Sequence, residues 1–150
     1  MTRVLVTGMS GTGKTTLLNE LARRGYSTVD TDDGDYWVTV DGERLWDTTR
    51  IEALLASDVS VLVVAGTTRN QVDCYDRFER IVLLSAPAEV LVERLRTRSG
   101  NPYGKAAGEL AETLEYLETV EPLLRESATL EIVTTVPVTE VADQVLAHVR

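Results

Sequence analysis

The chain has 150 residues, enough for one domain with a sizeable core and too few for two. Its 43% hydrophobic and 26% charged residues read as an ordinary globular protein, no run approaches the length of a membrane span, and a net charge of -9 argues against nucleic acid as a partner. A single cysteine, Cys74, rules out an internal disulfide and fits a reducing compartment. With a first strand beginning by Arg3 and no basic, apolar leader before it, these features predict a cytoplasmic protein.

In chain order, Val4–Val6 is a short apolar run without alternation, as expected of a strand buried on both faces of a parallel sheet. Leu17, Leu18, Leu21 and Ala22 follow at helical spacing, and Gly25 is placed to end that helix. Ser27–Val29 reads as a second strand. The segment 36–47, containing YWVTVDGERLW, alternates about an Asp41-Gly42 turn and reads as a small hairpin or irregular insertion. A helix through Ile51, Leu54 and Leu55 comes next, with Thr49-x-x-Glu52 fitting a capping box. Val59–Val64 and Ile81–Leu84 are further buried strands, and Pro87 suits the first turn of the helix after them. Leucines 110, 114, 117 and 124 form a long helical pattern that Pro122 should kink or split. Leu130–Val133 supplies a fifth strand, and Val141, Ala142, Val145, Leu146 and Val149 line a terminal helix. Strands alternating with helices predict an α/β fold with a doubly wound, five-stranded parallel sheet and ligands at the carboxyl ends of the strands.

The first strand and first helix are joined by Gly8-Met9-Ser10-Gly11-Thr12-Gly13-Lys14-Thr15, which satisfies G-x-x-x-x-G-K-[ST], the Walker A pattern of a P-loop, in the strand-to-helix context it requires. The glycines let successive N–H groups turn inward onto phosphate, and the helix adds the positive end of its dipole. Gly8, Ser10, Gly11, Thr12, Gly13, Lys14, Thr15 and Thr16 are therefore the nucleotide-binding candidates. Lys14 can reach the β- and γ-phosphates, and the Thr15 hydroxyl can hold Mg²⁺.

The second strand runs into Asp30-Thr31-Asp32-Asp33, where the turn projects carboxylates toward the phosphate hole. Asp30 or Asp32 can accept the proton of an attacking hydroxyl, or join Thr15 in holding Mg²⁺. The third strand ends Ala65-Gly66-Thr67-Thr68-Arg69-Asn70-Gln71 with no carboxylate, which weakens a motor or switch reading. Thr67, Arg69, Asn70 and Gln71 are placed there to hydrogen-bond a polar acceptor. Trp37 and Trp46, both in the insertion, either anchor it to the core or line the acceptor pocket. Arg94 and Arg98 share a helix face leading into a Gly/Asn/Pro turn, and residues 98–106 read as a lid that brings cations over the transferring group and excludes water.

Through GMSGTGKT at Gly8–Thr15, VDTD at Val29–Asp32 and VLLSAPAEVLVERLRTR at Val82–Arg98, the chain resembles the small P-loop kinases: shikimate kinase, gluconate kinase, dephospho-coenzyme A kinase and the nucleoside monophosphate kinases. Through Arg69–Gln71 and Arg98–Lys105 it also resembles uncharacterised bacterial P-loop ATP-binding proteins. The resemblance implies a nucleoside monophosphate kinase-like P-loop fold with a small lid, Asp30 and Asp32 as the pair contacting acceptor or Mg²⁺, Arg94 and Arg98 as lid arginines, and residues 134–137 near adenine. The triple-glycine substrate turn of shikimate kinase is replaced here by AGTTRN, and the adenylate kinase D-G-x-P-R pattern is absent, so neither acceptor carries over.

The resulting expectation is an ATP- and Mg²⁺-dependent phosphotransferase. It would move the γ-phosphoryl group to a hydroxyl or phosphate of a small molecule, with Lys14, Asp30, Asp32, Arg94 and Arg98 as its machinery. The acidic cluster Asp30–Asp47 hints at a neutral or cationic acceptor, whereas Arg44, Arg50 and Arg69 suit an anionic one. The alternative is a nucleotide-hydrolysing regulatory or assembly ATPase acting on a protein partner.

Overall fold

The computed structural model describes residues 1–97 and 107–149. Five strands, β1 (Thr2–Thr7), β2 (Ser27–Asp30), β5 (Val61–Ala65), β6 (Arg80–Ser85) and β7 (Leu130–Val133), form one parallel sheet in the order β2-β5-β1-β6-β7. A separate antiparallel hairpin joins β3 (Trp37–Val40) to β4 (Glu43–Trp46). Among the described residues there are six α-helices, α1 (Lys14–Arg23), α2 (Thr48–Leu55), α3 (Ala88–Thr97), α4 (Ala107–Thr119), α5 (Glu121–Ser127) and α6 (Val138–Val149), and two 3₁₀-helical segments, Thr31–Asp33 and Arg69–Arg77. The lid expected at 98–106, with Arg98, lies outside the described residues. No helix among the described residues is long and apolar enough to cross a membrane.

The sheet is apolar on both faces. Along β1, Val4 and Val6 pack with Leu17, Leu21, Val141 and Val145 under α1 and α6, while Leu5 points the other way into Trp46, Ile51, Phe78 and Ile81. Alternate residues thus enter two different cores, which is why the strand shows no polar alternation in sequence. A third cluster, Met9, Leu83 and Leu124, seats α5 against the sheet near the P-loop. Each buried leucine or valine contributes about 1.5–3 kcal/mol.

Local signals explain most of the boundaries. Gly25, at φ 96°, follows the end of α1, and Pro122 sits in the first turn of α5 where the chain restarts. The hairpin turn puts Asp41 at φ 52° and Gly42 at φ 79°, the left-handed pair that suits the twist of a two-residue connection. One expectation needs correction. The helix α2 is capped by Asp47, whose carboxylate accepts from the Thr49 and Arg50 amides at 3.1 and 3.3 Å; the Thr49–Glu52 box is not used, because the extended backbone at Asp47 already places a carboxylate over the first turn. The polar stretch Arg69–Arg77 forms a 3₁₀-helical segment that buries Gln71 and Cys74. Burial pushes the Cys74 thiol above its usual range, so it packs as a small apolar side chain.

Arg3 is only 4% exposed, and its guanidinium donates to the carbonyls of Leu55, Ser57 and Val59 at 2.7, 2.6 and 2.9 Å. A cation there closes the carboxyl end of α2 and satisfies carbonyls left over by the last turn.

Candidate active site

The P-loop is built to leave amides open to an anion. Gly13 is the N-cap of α1 in the left-handed region, at φ 100°, and has no side chain with which to cap the helix. The first turn carries Lys14 and no carboxylate, the reverse of what the helix dipole favours in isolation. A bound anion resolves that conflict. Gly8, at φ 152°, starts the loop so close to β6 that a Cβ would collide with the Leu84 carbonyl oxygen. Lys14 Nζ donates to the Gly8 and Met9 carbonyls at 2.6 and 3.1 Å and lies along the loop.

Side chains from distant strands hold this loop. Thr67 Oγ1, just beyond β5, donates to the Gly8 carbonyl at 2.7 Å, accepts from the Gly8 amide at 3.2 Å and lies 3.0 Å from Thr7 Oγ1. Gln71 Nε2 donates to Thr7 Oγ1 at 3.2 Å, extending the network inward. On the opposite side Thr134 Oγ1, following β7, donates to the Thr12 carbonyl at 2.7 Å. Arg94 donates to the Gly11 carbonyl and to Thr134 Oγ1, both at 3.0 Å, and to the Thr134 carbonyl. The expected roles of Thr67 and Gln71 on the acceptor are therefore corrected: the Thr67 hydroxyl faces the P-loop, and Gln71 is buried with its amide on Thr7, Thr68 and Tyr75. Arg94 likewise bridges the P-loop to the end of β7 from within the cleft wall, rather than standing on a lid.

The Asp30–Asp32 turn meets the loop at Thr15, whose Oγ1 donates to Asp30 Oδ2 at 2.8 Å. Asp30 Oδ1 accepts from the Asp32 amide at 3.1 Å, which fixes the turn. The Asp32 carboxylate itself takes part in no hydrogen bond or ion pair among the described residues. Partial desolvation, reinforced by the neighbouring Asp30 charge, pushes the Asp32 carboxyl above the ordinary carboxylate range, while Lys14 and Arg44 pull it the other way.

Four residues expected at the acceptor, Trp37, Trp46, Arg69 and Asn70, are brought together at the hairpin. Trp37 Nε1 donates to the Thr31 carbonyl at 2.7 Å, and Trp46 Nε1 to Thr31 Oγ1 at 3.3 Å. Thr31 Oγ1 in turn donates to the Ala65 carbonyl at 2.8 Å. Asn70 brackets the Trp46 backbone, accepting from its amide at 3.1 Å and donating to its carbonyl at 3.0 Å. Trp46 is 1% exposed and fills the core, so it does not line a pocket: of its two possible roles the structure assigns it the anchor. Gly66 makes that packing possible, since a Cβ there would run into Thr31 Oγ1 and the Trp46 ring. Arg69 is exposed and paired with Glu43, with contacts of 2.6 and 2.7 Å.

Two clefts converge on the turn. The larger, about 820 Å³, is lined by the P-loop with Asp30, Asp32, Arg94, Thr134 and Val136. The smaller, about 510 Å³, includes Asp30, Asp33, Asp35, Tyr36 and Arg50. Asp30 and Asp33 line both, so a group in one cleft can meet a group in the other at the turn. Thr15 and Asp30 offer hard oxygen donors side by side, a donor set that fits Mg²⁺.

Solved structures with this fold are small-molecule kinases in several cases. Shikimate kinase from Acinetobacter baumannii, in complex with shikimate, matches with a TM-score of 0.69 and 22% identity over 99% of this chain and 92% of that one. A gluconokinase from Sinorhizobium meliloti 1021 matches with a TM-score of 0.69 and 22% identity over 99% and 91%. A sugar kinase from Janibacter sp. HTCC2649 matches with a TM-score of 0.61 and 22% identity over 98% and 93%. At these identities the likeness is one of fold. A search of curated protein sequences finds no relative. The AAA domain family matches residues 4–115, spanning the P-loop, the Asp30–Asp32 turn and the Arg94 helix, and the chain belongs to that family.

Proposed function

We propose that the protein is a small-molecule kinase that transfers the γ-phosphoryl group of ATP to a hydroxyl of its acceptor. The observation that carries this reading is the junction at the end of β2. Asp30 touches the P-loop threonine at 2.8 Å and lines both clefts, while Asp32, two residues on, keeps an unengaged carboxylate in the wall of the nucleotide cleft.

The arrangement divides the two aspartates. Asp30, with Thr15, would hold Mg²⁺, which when bound neutralises charge on the β- and γ-phosphates. Asp32 orients the acceptor hydroxyl and takes its proton as the new O–P bond forms and the bond from the γ-phosphorus to the ADP oxygen breaks. Its carboxyl, pushed above the ordinary range by partial burial, suits a proton acceptor. The P-loop amides and Lys14 carry phosphate charge, and Arg94 keeps the loop and the wall of the nucleotide cleft in one piece. Catalysis in such a site is mostly positioning and electrostatics, which suits a machinery spread over backbone amides and fixed charges.

The test is ADP release from ATP and Mg²⁺, with and without pooled hydroxylated metabolites. Release that depends on a pool supports the kinase. Steady release that no pool changes favours instead the hydrolysing ATPase with a protein partner.

A further inference from the structure

Three arginines lie on the acceptor side of the Asp30–Asp32 turn, and two of them are already matched. Arg50 contacts Asp35 at 2.6 Å and Asp47 at 3.4 Å, and donates to the Asp35 carbonyl at 2.7 Å. Arg69 is held by both oxygens of Glu43. Arg44 differs. Its guanidinium lies over the Trp37 ring, 4.4 Å from the centroid, and among the described residues it has neither a carboxylate partner nor a hydrogen-bond acceptor.

Stacking orients a guanidinium without using its N–H groups, so all five donors stay available around its edge. The platform is itself fixed. Trp37 pairs with Trp46 across the hairpin, Arg44 is two residues from Trp46 on the same strand, and so the three side chains share one face of the ribbon. That face is the one whose two indoles donate to Thr31, the residue between Asp30 and Asp32. Asn70 clamps the strand from behind. A cation is thereby held beside the acceptor end of the site on a rigid support, and its charge reaches Asp32.

We propose that Arg44, stacked on Trp37, is the anion-binding element of the acceptor site, and that the acceptor carries a carboxylate or phosphate group in addition to its reactive hydroxyl. The proposal rests on the kinase reading and adds the charge of the substrate to it. Arg44 provides what the acidic turn lacks: an unmatched positive charge whose field reaches the base. A planar guanidinium receives either anion through paired N–H groups.

The experiment uses the full chain with ATP and Mg²⁺ and four separate pools: polyhydroxy carboxylates, sugar phosphates, neutral sugars and polyols, and amino alcohols. ADP release stimulated by one of the first two pools is expected, and which of the two identifies the anion. With the active compound in hand, Arg44→Ala and Arg44→Gln should each raise the acceptor KM by about 10- to 100-fold, the loss of one charge-assisted contact, with the ATP KM unchanged. Arg44→Lys should fall between. If Arg44 only tunes Asp32, the variants would shift the pH profile of kcat and leave the acceptor KM alone, and the proposal would be wrong. An active neutral or amino alcohol pool would overturn it too, while leaving the kinase standing. Release that no pool stimulates would bring down the kinase reading itself.

Discussion

Replacing Thr67 by valine keeps the shape of the side chain and removes the hydroxyl that clips the P-loop to β5. The structure shows what is lost: a donor to the Gly8 carbonyl at 2.7 Å, an acceptor for the Gly8 amide at 3.2 Å and a contact with Thr7 Oγ1 at 3.0 Å. Gly8 is buried, so although its carbonyl keeps the Lys14 ammonium at 2.6 Å, its amide has no water to turn to. A net hydrogen bond is worth about 1 kcal/mol and a buried group left unsatisfied costs about 1–3 kcal/mol, so the variant should lose about 2–4 kcal/mol. For a chain of this size that lowers the melting temperature by on the order of 10 °C. The loosened loop should also bind ATP more weakly, because its inward amides are no longer set in advance. Thermal unfolding of the nucleotide-free protein reads the first effect, and calorimetric titration with ATP and Mg²⁺ the second. An unchanged melting temperature and ATP affinity, with a raised acceptor KM, would refute the reasoning and return Thr67 to the acceptor side.

The two aspartates should separate. Asp32→Asn should lower kcat by about 100- to 10,000-fold with ATP binding intact, whereas Asp30→Asn should raise the Mg²⁺ concentration needed for half-maximal rate; both are read from steady-state kinetics. Gly66→Ala should destabilise the fold by about 1–3 kcal/mol through overpacking against Trp46 and Thr31, measured by urea unfolding. Acid stability should follow Glu131, whose carboxyl is held below the ordinary range by Arg125, with Ser85 adding a hydrogen bond. A depressed carboxyl contributes its stability above the unfolded pKa near 4.5 and loses it as the pH falls through the folded value. Glu131→Gln should therefore melt below the wild type at neutral pH, by no more than about 1 kcal/mol for so exposed a pair, and the gap should close as the solution is acidified.

The parts of this molecule legible in sequence are those whose physics is local. The P-loop could be read because phosphate binding uses consecutive backbone amides and the glycines that aim them, all within eight residues. The inner strands β1, β5 and β6 could be read because burial on both faces removes alternation, and the hairpin because Asp41-Gly42 suits a left-handed turn. What could not be read depends on topology. Thr67 and Thr134 hold the loop from the ends of β5 and β7, and no spacing rule links them to Gly8 or Thr12. Arg69–Arg77 carries no continuous apolar stripe because one of its inward positions is the polar Gln71, beside Cys74 and the partly buried Tyr75. Trp46 is compatible in sequence with either wall or anchor, and Asn70 reads as a contact to the acceptor. Only the position of Thr31 over the end of β5 decides between wall and anchor.

The central claim is that the γ-phosphoryl group leaves on an organic hydroxyl and not on water. Supplying ATP labelled in the γ-phosphate, with Mg²⁺ and the pooled acceptors, and resolving the products by mass measures this directly. The account predicts label in a phosphorylated metabolite matched by ADP, lost together in Lys14→Ala and in Asp32→Asn. Label recovered wholly as inorganic phosphate, at a rate indifferent to every pool and to Asp32→Asn, would contradict it.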